Sequence, residues 1–394
     1  MIVKIARIFG NQIFRMITKS HHRIALGIFF FLCGFSFSTW ASRIPSIKSS
    51  FHMNEAELGS FLFILPISSL VGLPISAWLV SKFDSRYLLF FGFFLFSVAL
   101  VGIGISSQLE FLIVSVTFFA LGLRAINISM NTQAIQLQKR YTKKINGKFH
   151  GLWSLGGLFG LVFATVAINQ NLSMAYHLGL VAFFSLSISI IAYFYLLRND
   201  KESTGNKLQL GKPDNFILYT GLVVFCAAVC EGGIYDWSSV YFQEVVGAEL
   251  FTLSYLVFMI SMTISRFFTD RIIMKIGMPK LFIISASVVV LGVGILILFP
   301  FYYSALFGFF IAGFGVASIF PMAFLLAGQS KKYAPGMAIS IVGTYATLGV
   351  LIAPPLIGYI AHIFNLNQAF LFFIGAALLL MYFSKKAFYS LEKQ

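Results

Sequence analysis

Residues 81–106 read SKFDSRYLLFFGFFLFSVALVGIGIS. The last twenty, Tyr87 to Ser106, contain no Asp, Glu, Lys, Arg or His. At about 1.5 Å per residue such a helix is about 30 Å long, the thickness of the hydrocarbon core of a bilayer. The run is too long for a strand and has no polar face for water. The six residues before it hold Lys82, Asp84 and Arg86, charges that belong at the membrane boundary.

Runs of this kind recur along the chain. Spans are expected at 24–43, 57–80, 87–106, 110–137, 148–168, 174–197, 216–242, 250–270, 280–299, 303–328, 335–360 and 367–385, an all-α membrane protein of twelve transmembrane helices. Composition agrees: 59% of the 394 residues are apolar, 10% are charged, and mean hydropathy is +0.89. A soluble domain carries about 25% charged residues. Too few are present here to cover a surface in water, whereas lipid lets the 47 Phe side chains face outward.

The net charge of +15 would suggest nucleic acid in a soluble protein. Here the cations sit in short blocks between apolar runs, so they report topology and no nucleic-acid partner is expected. With the N-terminus in the cytoplasm, 24 of the 28 Lys and Arg fall on the cytoplasmic side. Arg43 and Lys48 fall outside, and Arg124 and Arg266 lie within spans. This asymmetry predicts that both termini are cytoplasmic. Residues 1–23 hold Lys4, Arg7, Arg15 and Lys19 at helical spacing, which predicts an amphipathic segment on the membrane surface. The polar stretch 198–215 is a cytoplasmic central loop between six-helix halves at 24–197 and 216–385, and 386–394 is a cytoplasmic tail. Cys33, Cys226 and Cys230 lie in apolar runs without metal or disulfide spacing and read as small packing residues. No metal and no cofactor is expected.

The halves are weakly related. Cys33 and Trp40 recur as Cys230 and Trp237 at an offset of 197, and Leu155-Gly156 recurs as Leu348-Gly349 at 193. A parallel repeat of this kind commonly places a substrate site between its halves. Gly151, Gly156, Gly157 and Gly160 in span 5 and Gly343 and Gly349 in span 11 allow close helix packing. Pro321, Pro354 and Pro355 remove backbone donors inside spans 10 and 11 and predict kinks.

The pattern resembles the major facilitator superfamily. That family's cytoplasmic signature, Gly-x-x-x-Asp-Arg-x-Gly-Arg, is matched in the second half by Ser265-Arg266-Phe267-Phe268-Thr269-Asp270-Arg271 with Lys275 and Gly277. The first-half copy, Ser81-Lys82-Phe83-Asp84-Ser85-Arg86, has Ser where an acidic residue is expected, a departure that bears on the inner-gate charges of that half. The segments Ala41–Lys48, Met130-Asn131, Phe149–Gly157 and Glu231-Gly232-Gly233 with Asp236-Trp237-Ser238 look closer to the YbjJ-like bacterial branch, itself similar to carriers of the fucose-permease type. The resemblance implies alternating access and a multi-pass protein of the bacterial inner membrane.

Ionisable residues within spans are costly and mark function by default. On span 4, Arg124, Asn127, Asn131 and Gln138 share one helical face. Arg124 has the geometry to bind an anionic or hydroxyl-rich solute, or to form a structural ion pair. On span 7, Glu231 and Tyr235 share a face, with Asp236 beside them. A carboxyl group in a low-dielectric site can load and release a proton, so Glu231 is the first choice for proton coupling, with Asp236 and His150 as further candidates. Thr39, Trp40, Trp153, Tyr235, Trp237 and Tyr345 join Arg124, Asn127 and Asn131 as candidate substrate residues. The Trp rings serve either as stacking faces or as packing anchors. Arg43 is a gating candidate, pairing with Asp236 as an outer latch, and Arg266 with Asp270 as an inner gate.

The expected function is secondary transport of a small polar organic solute, sugar-like or anionic, coupled to protons, by a monomer in the bilayer. The alternatives are an exporter of drugs or lipids and a proton-independent facilitator. Span 5 lacks the Gly-Pro motif usual in drug antiporters of the superfamily. No nucleophile–base pair, metal cluster or phosphate loop suggests an enzyme.

Overall fold

The computed structural model describes residues 18–142, 145–198, 200, 213–333 and 335–393. Residues 1–17 of the expected amphipathic segment, and most of the central loop, lie outside the described residues. Among the described residues there is no strand, and twelve helices are long and apolar enough to cross a membrane. In order these spans are 1, Lys19–Ser50; 2, Glu55–Lys82; 3, Ser85–Ile105; 4, Leu109–Gln138; 5, Lys148–Asn169; 6, Met174–Tyr193; 7, Asn215–Glu244; 8, Thr252–Thr269; 9, Met278–Leu298; 10, Tyr302–Ala327; 11, Met337–Ile363; and 12, Leu366–Glu392. All twelve expected spans are present.

Local chemistry sets the ends. Asn54 and Glu57 exchange reciprocal side-chain to backbone bonds of 2.9 Å at the start of span 2, a capping arrangement that satisfies two backbone donors. Asp214 accepts from the Ile217 amide at 2.9 Å at the start of span 7. Spans 1, 10 and 12 are each broken once, span 12 at Phe370. Span 1 consists of helices Lys19–Ala41 and Ile44–Ser50, and span 10 of helices Tyr302–Val316 and Ile319–Ala327. The breaks in spans 1 and 10 each lie just ahead of a proline, Pro45 or Pro321, whose ring excludes the carbonyl four residues earlier and which has no N–H to offer it. Pro354 and Pro355 lie inside a continuous helix, so proline alone does not decide where a span breaks.

The contacts gather the chain into two units. Unit 1 takes Met1–Trp40, Ser68–Gly160 and Ser173–Asn206. Within it, span 3 packs on spans 4 and 6. A relay of rings joins spans 1, 3 and 4: Phe29 to Phe93 at 5.3 Å, Phe96 to Phe119 at 4.4 Å and Trp40 to Phe119 at 5.2 Å. Spans 1 and 5 touch backbone to backbone, with Gly156 and Gly160 against the carbonyls of Phe31 and Phe35. Between lipid-soluble helices no hydrophobic effect drives association, so small residues that permit such contact supply the attraction.

Unit 2 takes Ala41–Ile67, Leu161–Leu172 and Lys207–Gln394. Span 7 packs on spans 11 and 12, and spans 9 and 10 pack together. Gly349 of span 11 lies against the Phe225 carbonyl of span 7, at 2.6 Å from the position a Cβ would take. This is the second-half counterpart of the Gly156 contact, so the repeat is visible in packing as well as in sequence. Tyr241 donates toward Leu296 O at 2.6 Å and lies 2.7 Å from Asn367 Oδ1, tying spans 7, 9 and 12 together. The end segments of spans 1, 2 and 5 also belong to this unit. Gly59 of span 2 lies against Gly358 of span 11, Ser60 Oγ is 3.2 Å from Tyr359 Oη, and Thr165 Oγ1 is 2.8 Å from Thr252 Oγ1.

Large apolar side chains cover the outside, among them Phe183 at 66% and Phe267 at 79% exposed. In water such a surface would drive aggregation; against acyl chains it carries no cost.

The glycine contacts generate a contrast. Gly160→Leu places a side chain where the Phe35 carbonyl stands and should cost about 1–3 kcal/mol through overpacking. Gly179→Leu meets nothing within 4 Å and should leave stability unchanged. Thermal unfolding in detergent distinguishes the two, and equal midpoints would contradict the assigned packing.

Candidate functional site

Unit 1 carries the polar stripe of span 4. Arg124, Asn127, Asn131 and Gln138 are all partly buried, as one shared face requires. Arg124 Nε donates to Ser69 Oγ at 2.9 Å and to Ser69 O at 3.1 Å, which fixes the guanidinium against span 2. Among the described residues Arg124 is in no ion pair, and its bonds leave from Nε. The two Nη groups, the fork that grips carboxylate or phosphate, stay outside these bonds. Asn131 Nδ2 donates to Asn127 O at 2.8 Å, so its side-chain oxygen remains to accept. Gln138 is a loop brace: its Oε1 accepts from the Ile145 amide at 2.8 Å.

The other unit 1 candidates divide. Thr39 is buried and donates to Phe35 O at 2.8 Å. Trp40 is 2% exposed and packed on Phe37 and Phe119, a placement that fits a packing residue rather than an open stacking face. Trp153 is partly buried with its ring 6.3 Å from Phe37. His150 is exposed, edge-on to Phe30 at 5.5 Å.

The altered first-half signature finds its carboxylate elsewhere. Asp200, beyond span 6, accepts from the Ser85 amide at 3.0 Å, from Ser85 Oγ, and from Gln133 Nε2 at 2.8 Å. Gln133 also bonds both backbone groups of Leu197, at 3.1 and 3.0 Å. Ser85, Gln133 and Asp200 thus form a closed buried network at the start of span 3, where a helix N-terminus favours an anion. Asp84 Oδ2 lies 3.6 Å from Arg86 Nε, an ion pair without a hydrogen bond.

Unit 2 holds the acidic candidates. Glu231 Oε1 pairs with Arg266 Nη2 at 3.2 Å. Its Oε2 is buried and, among the described residues, has no hydrogen-bond partner. Arg266 also points Nε at the Ala317 carbonyl, a long contact of 3.5 Å. Ala317 stands at the break in span 10, four residues before Pro321, so its carbonyl has no helical donor there. One guanidinium therefore joins spans 7, 8 and 10. Sequence reading assigned Arg266 to an inner gate with Asp270 and left Glu231 alone. The pairing joins residues 35 apart in sequence, and two opposite charges within apolar helices are the signal that points to it. The Asp270 side chain lies outside the described ones.

Tyr235 packs edge-on against Tyr255 at 4.5 Å. Asp236 is partly buried. Trp237 is fully buried, and its Nε1, like that of Trp40, has no hydrogen-bond partner among the described residues. The repeat-related Trp pair thus shares burial and an unsatisfied donor. Tyr345 of span 11 packs over Gly221 of span 7.

Arg43, the latch candidate, donates from Nη2 to the Leu172 carbonyl at 2.7 Å. Lys48 forms two ion pairs. It is 7% exposed and pairs with Glu55 at 3.1 Å and with Glu244 at the end of span 7. Sequence reading used Lys48 only for topology. The clue was the scarcity of cations at that end, Arg43 and Lys48 alone, beside two acids. Among the described residues no three His, Cys, Asp or Glu side chains are grouped to hold a metal.

Residues 25–334 match the Major Facilitator Superfamily. The chain is 25% identical over 350 residues to an uncharacterised MFS-type transporter of Yersinia pestis, covering 88% of this chain and 91% of that one. It is 29% identical over 360 residues to the membrane protein MosC of Rhizobium meliloti, covering 90% and 87%. Among solved structures, the nucleoside transporter NupG superposes with a TM-score of 0.75 over 93% of this chain and 98% of that one at 13% identity, a likeness of fold. The twelve-span architecture and the match over most of the sequence place this chain in the major facilitator superfamily of membrane transporters.

Proposed function

We propose that the protein is a proton-coupled secondary transporter of a small polar organic solute, anionic or hydroxyl-rich, working by alternating access. The observation that carries this reading is Glu231: one oxygen held by Arg266, the other buried and, among the described residues, without a hydrogen-bond partner. A proton arriving on Glu231 cancels the charge that holds Arg266 Nη2. The guanidinium then keeps only its contacts to Met262 and to the Ala317 carbonyl beside the break in span 10. Protonation thereby acts on the span interrupted by Pro321, where the backbone has the fewest bonds of its own to lose. Asp236 is a second candidate acid and His150 a third.

Arg124 is the proposed ligand cation, held by Nε with its fork outside these bonds, and Asn127 and Asn131 extend the same face. Tyr235 and Tyr345 are proposed substrate residues of unit 2, and Trp153 is the proposed stacking ring of unit 1. Thr39 and Trp40 in unit 1, and Trp237 in unit 2, are proposed to act as packing supports within their own units. The Lys48–Glu55–Glu244 cluster is the proposed gate at its end of unit 2, with Arg43 beside it, and Arg266 and Asp270 serve the opposite end.

The Lys and Arg asymmetry supports cytoplasmic termini, and the bacterial relatives support the bacterial inner membrane. The four sequence segments from Ala41 to Ser238 support the YbjJ-like branch. The absence of a Gly-Pro motif from span 5 counts against a drug exporter, and a facilitator would not need the acid to titrate.

Glu231→Gln should abolish solute accumulation driven by a pH gradient in proteoliposomes while solute exchange continues. Unchanged pH-dependent uptake would remove Glu231 from the coupling role. Arg124→Ala should weaken ligand-induced thermal stabilisation by roughly ten- to a hundredfold in ligand concentration, the value of a charged hydrogen bond of about 1.5–3 kcal/mol. Arg124→Lys, which keeps the charge and loses the fork, should fall between. Wild-type affinity in Arg124→Ala would make the residue structural.

A further inference from the structure

Unit 1 contains a groove that the proposed transport chemistry does not use. It encloses about 760 Å³ at the beginnings of spans 1 and 5, with Ile188 of span 6 closing one side, a volume within the roughly 300–1,000 Å³ of ligand sites. Its walls are apolar: Phe31 and Leu32 from span 1, Leu152 and Leu155 from span 5. Two glycines shape it. Gly27 lets span 1 approach Leu152, and Gly151 has nothing within 4 Å of where its side chain would be, which keeps the groove open.

Only Arg23 and Lys148 bring charge to this lining. Both stand at the starts of their spans, at the polar boundary. Among the described residues no Asp or Glu lines the groove, and neither cation is in an ion pair. Arg23 rests over the ring of Tyr141 at 5.8 Å, which holds the cation near the entrance. Ile24 at 57%, Leu155 at 44% and Ile188 at 40% exposure leave the groove open along its side. Two cations above an apolar slot call for an amphiphile with an anionic head and a hydrocarbon tail. A small polar solute would leave the walls unsatisfied. The chain's own residues 1–17 carry Lys4, Arg7 and Arg15 and would add cations to cations.

We propose that this groove binds one anionic phospholipid, with its phosphate between Arg23 and Lys148 and an acyl chain along Phe31, Leu152 and Leu155. Basic pockets between membrane helices recognise headgroups in this way. The site is independent of the transport reading and bridges spans 1 and 5 beside their glycine contacts.

Native mass spectrometry of the full chain in detergent, with phosphatidylglycerol or phosphatidylcholine added, tests it. The wild type should retain one phosphatidylglycerol in preference to phosphatidylcholine. The double variant R23Q/K148Q should lower phosphatidylglycerol retention roughly thirtyfold, about one kcal/mol for each cation lost. Gly151→Leu, which keeps both charges and fills the slot, should also lower it. Inorganic phosphate should not displace the lipid. Equal retention of both lipids, unchanged retention in the two variants, or displacement by phosphate would overturn the proposal. A photoreactive residue at Leu155 should form adducts with phosphatidylglycerol; adducts to a peptide from residues 1–17 or to a second copy of the chain would also overturn it.

Discussion

The absence of water from the hydrocarbon core constrains everything else in this molecule. A backbone amide or carbonyl left unpaired there costs several kcal/mol, so the chain crosses as helix and departs from helix only where another group supplies a partner. Span 10 shows the rule at work. Pro321 removes one donor, the helix breaks at Ala317-Ser318, and neighbouring spans fill in: Arg266 reaches the Ala317 carbonyl, Ser265 Oγ donates to Phe314 O at 2.8 Å, and Ser318 Oγ lies 2.8 Å from Ser285 Oγ.

The same constraint applies more strongly to charge. An exposed ion pair contributes up to about 1 kcal/mol, whereas removing one partner of a buried pair costs about 3–5 kcal/mol, because the survivor is stranded. Arg266 and Glu231 lie between these limits, with side chains 37% and 19% exposed. Each is tolerable within its helix because of the other. A bond of this strength is firm enough to hold a conformation and weak enough for one proton to release. Lys48 obeys the same logic against two carboxylates, which leaves that cluster with an excess negative charge and a single cation on which both acids depend.

The extent to which sequence foretold this follows from the range of each signal. Spans are local: twenty apolar residues declare a helix wherever they occur, and all twelve could be read. The shared face of Arg124, Asn127 and Asn131 was equally legible, since helical spacing fixes it. Pairing between spans was not. Nothing near Glu231 points to Arg266, and Arg43 and Lys48 are interchangeable to a count of cations, although geometry gives Glu55 and Glu244 to Lys48. The departure at Ser85 looked like a lost charge because its replacement, Asp200, is 115 residues away. The Trp rings were ambiguous from the start, and burial decides for packing at Trp40 and Trp237.

The account rests on movement of a proton with the solute. The direct measurement is internal pH in proteoliposomes loaded with a pH-sensitive dye, recorded as sugars, amino acids, nucleosides and organic anions are added in turn with no imposed gradient. The account predicts that a solute which enters will shift internal pH with the same time course as its own uptake. Solute entry at full rate with no change in internal pH would contradict it.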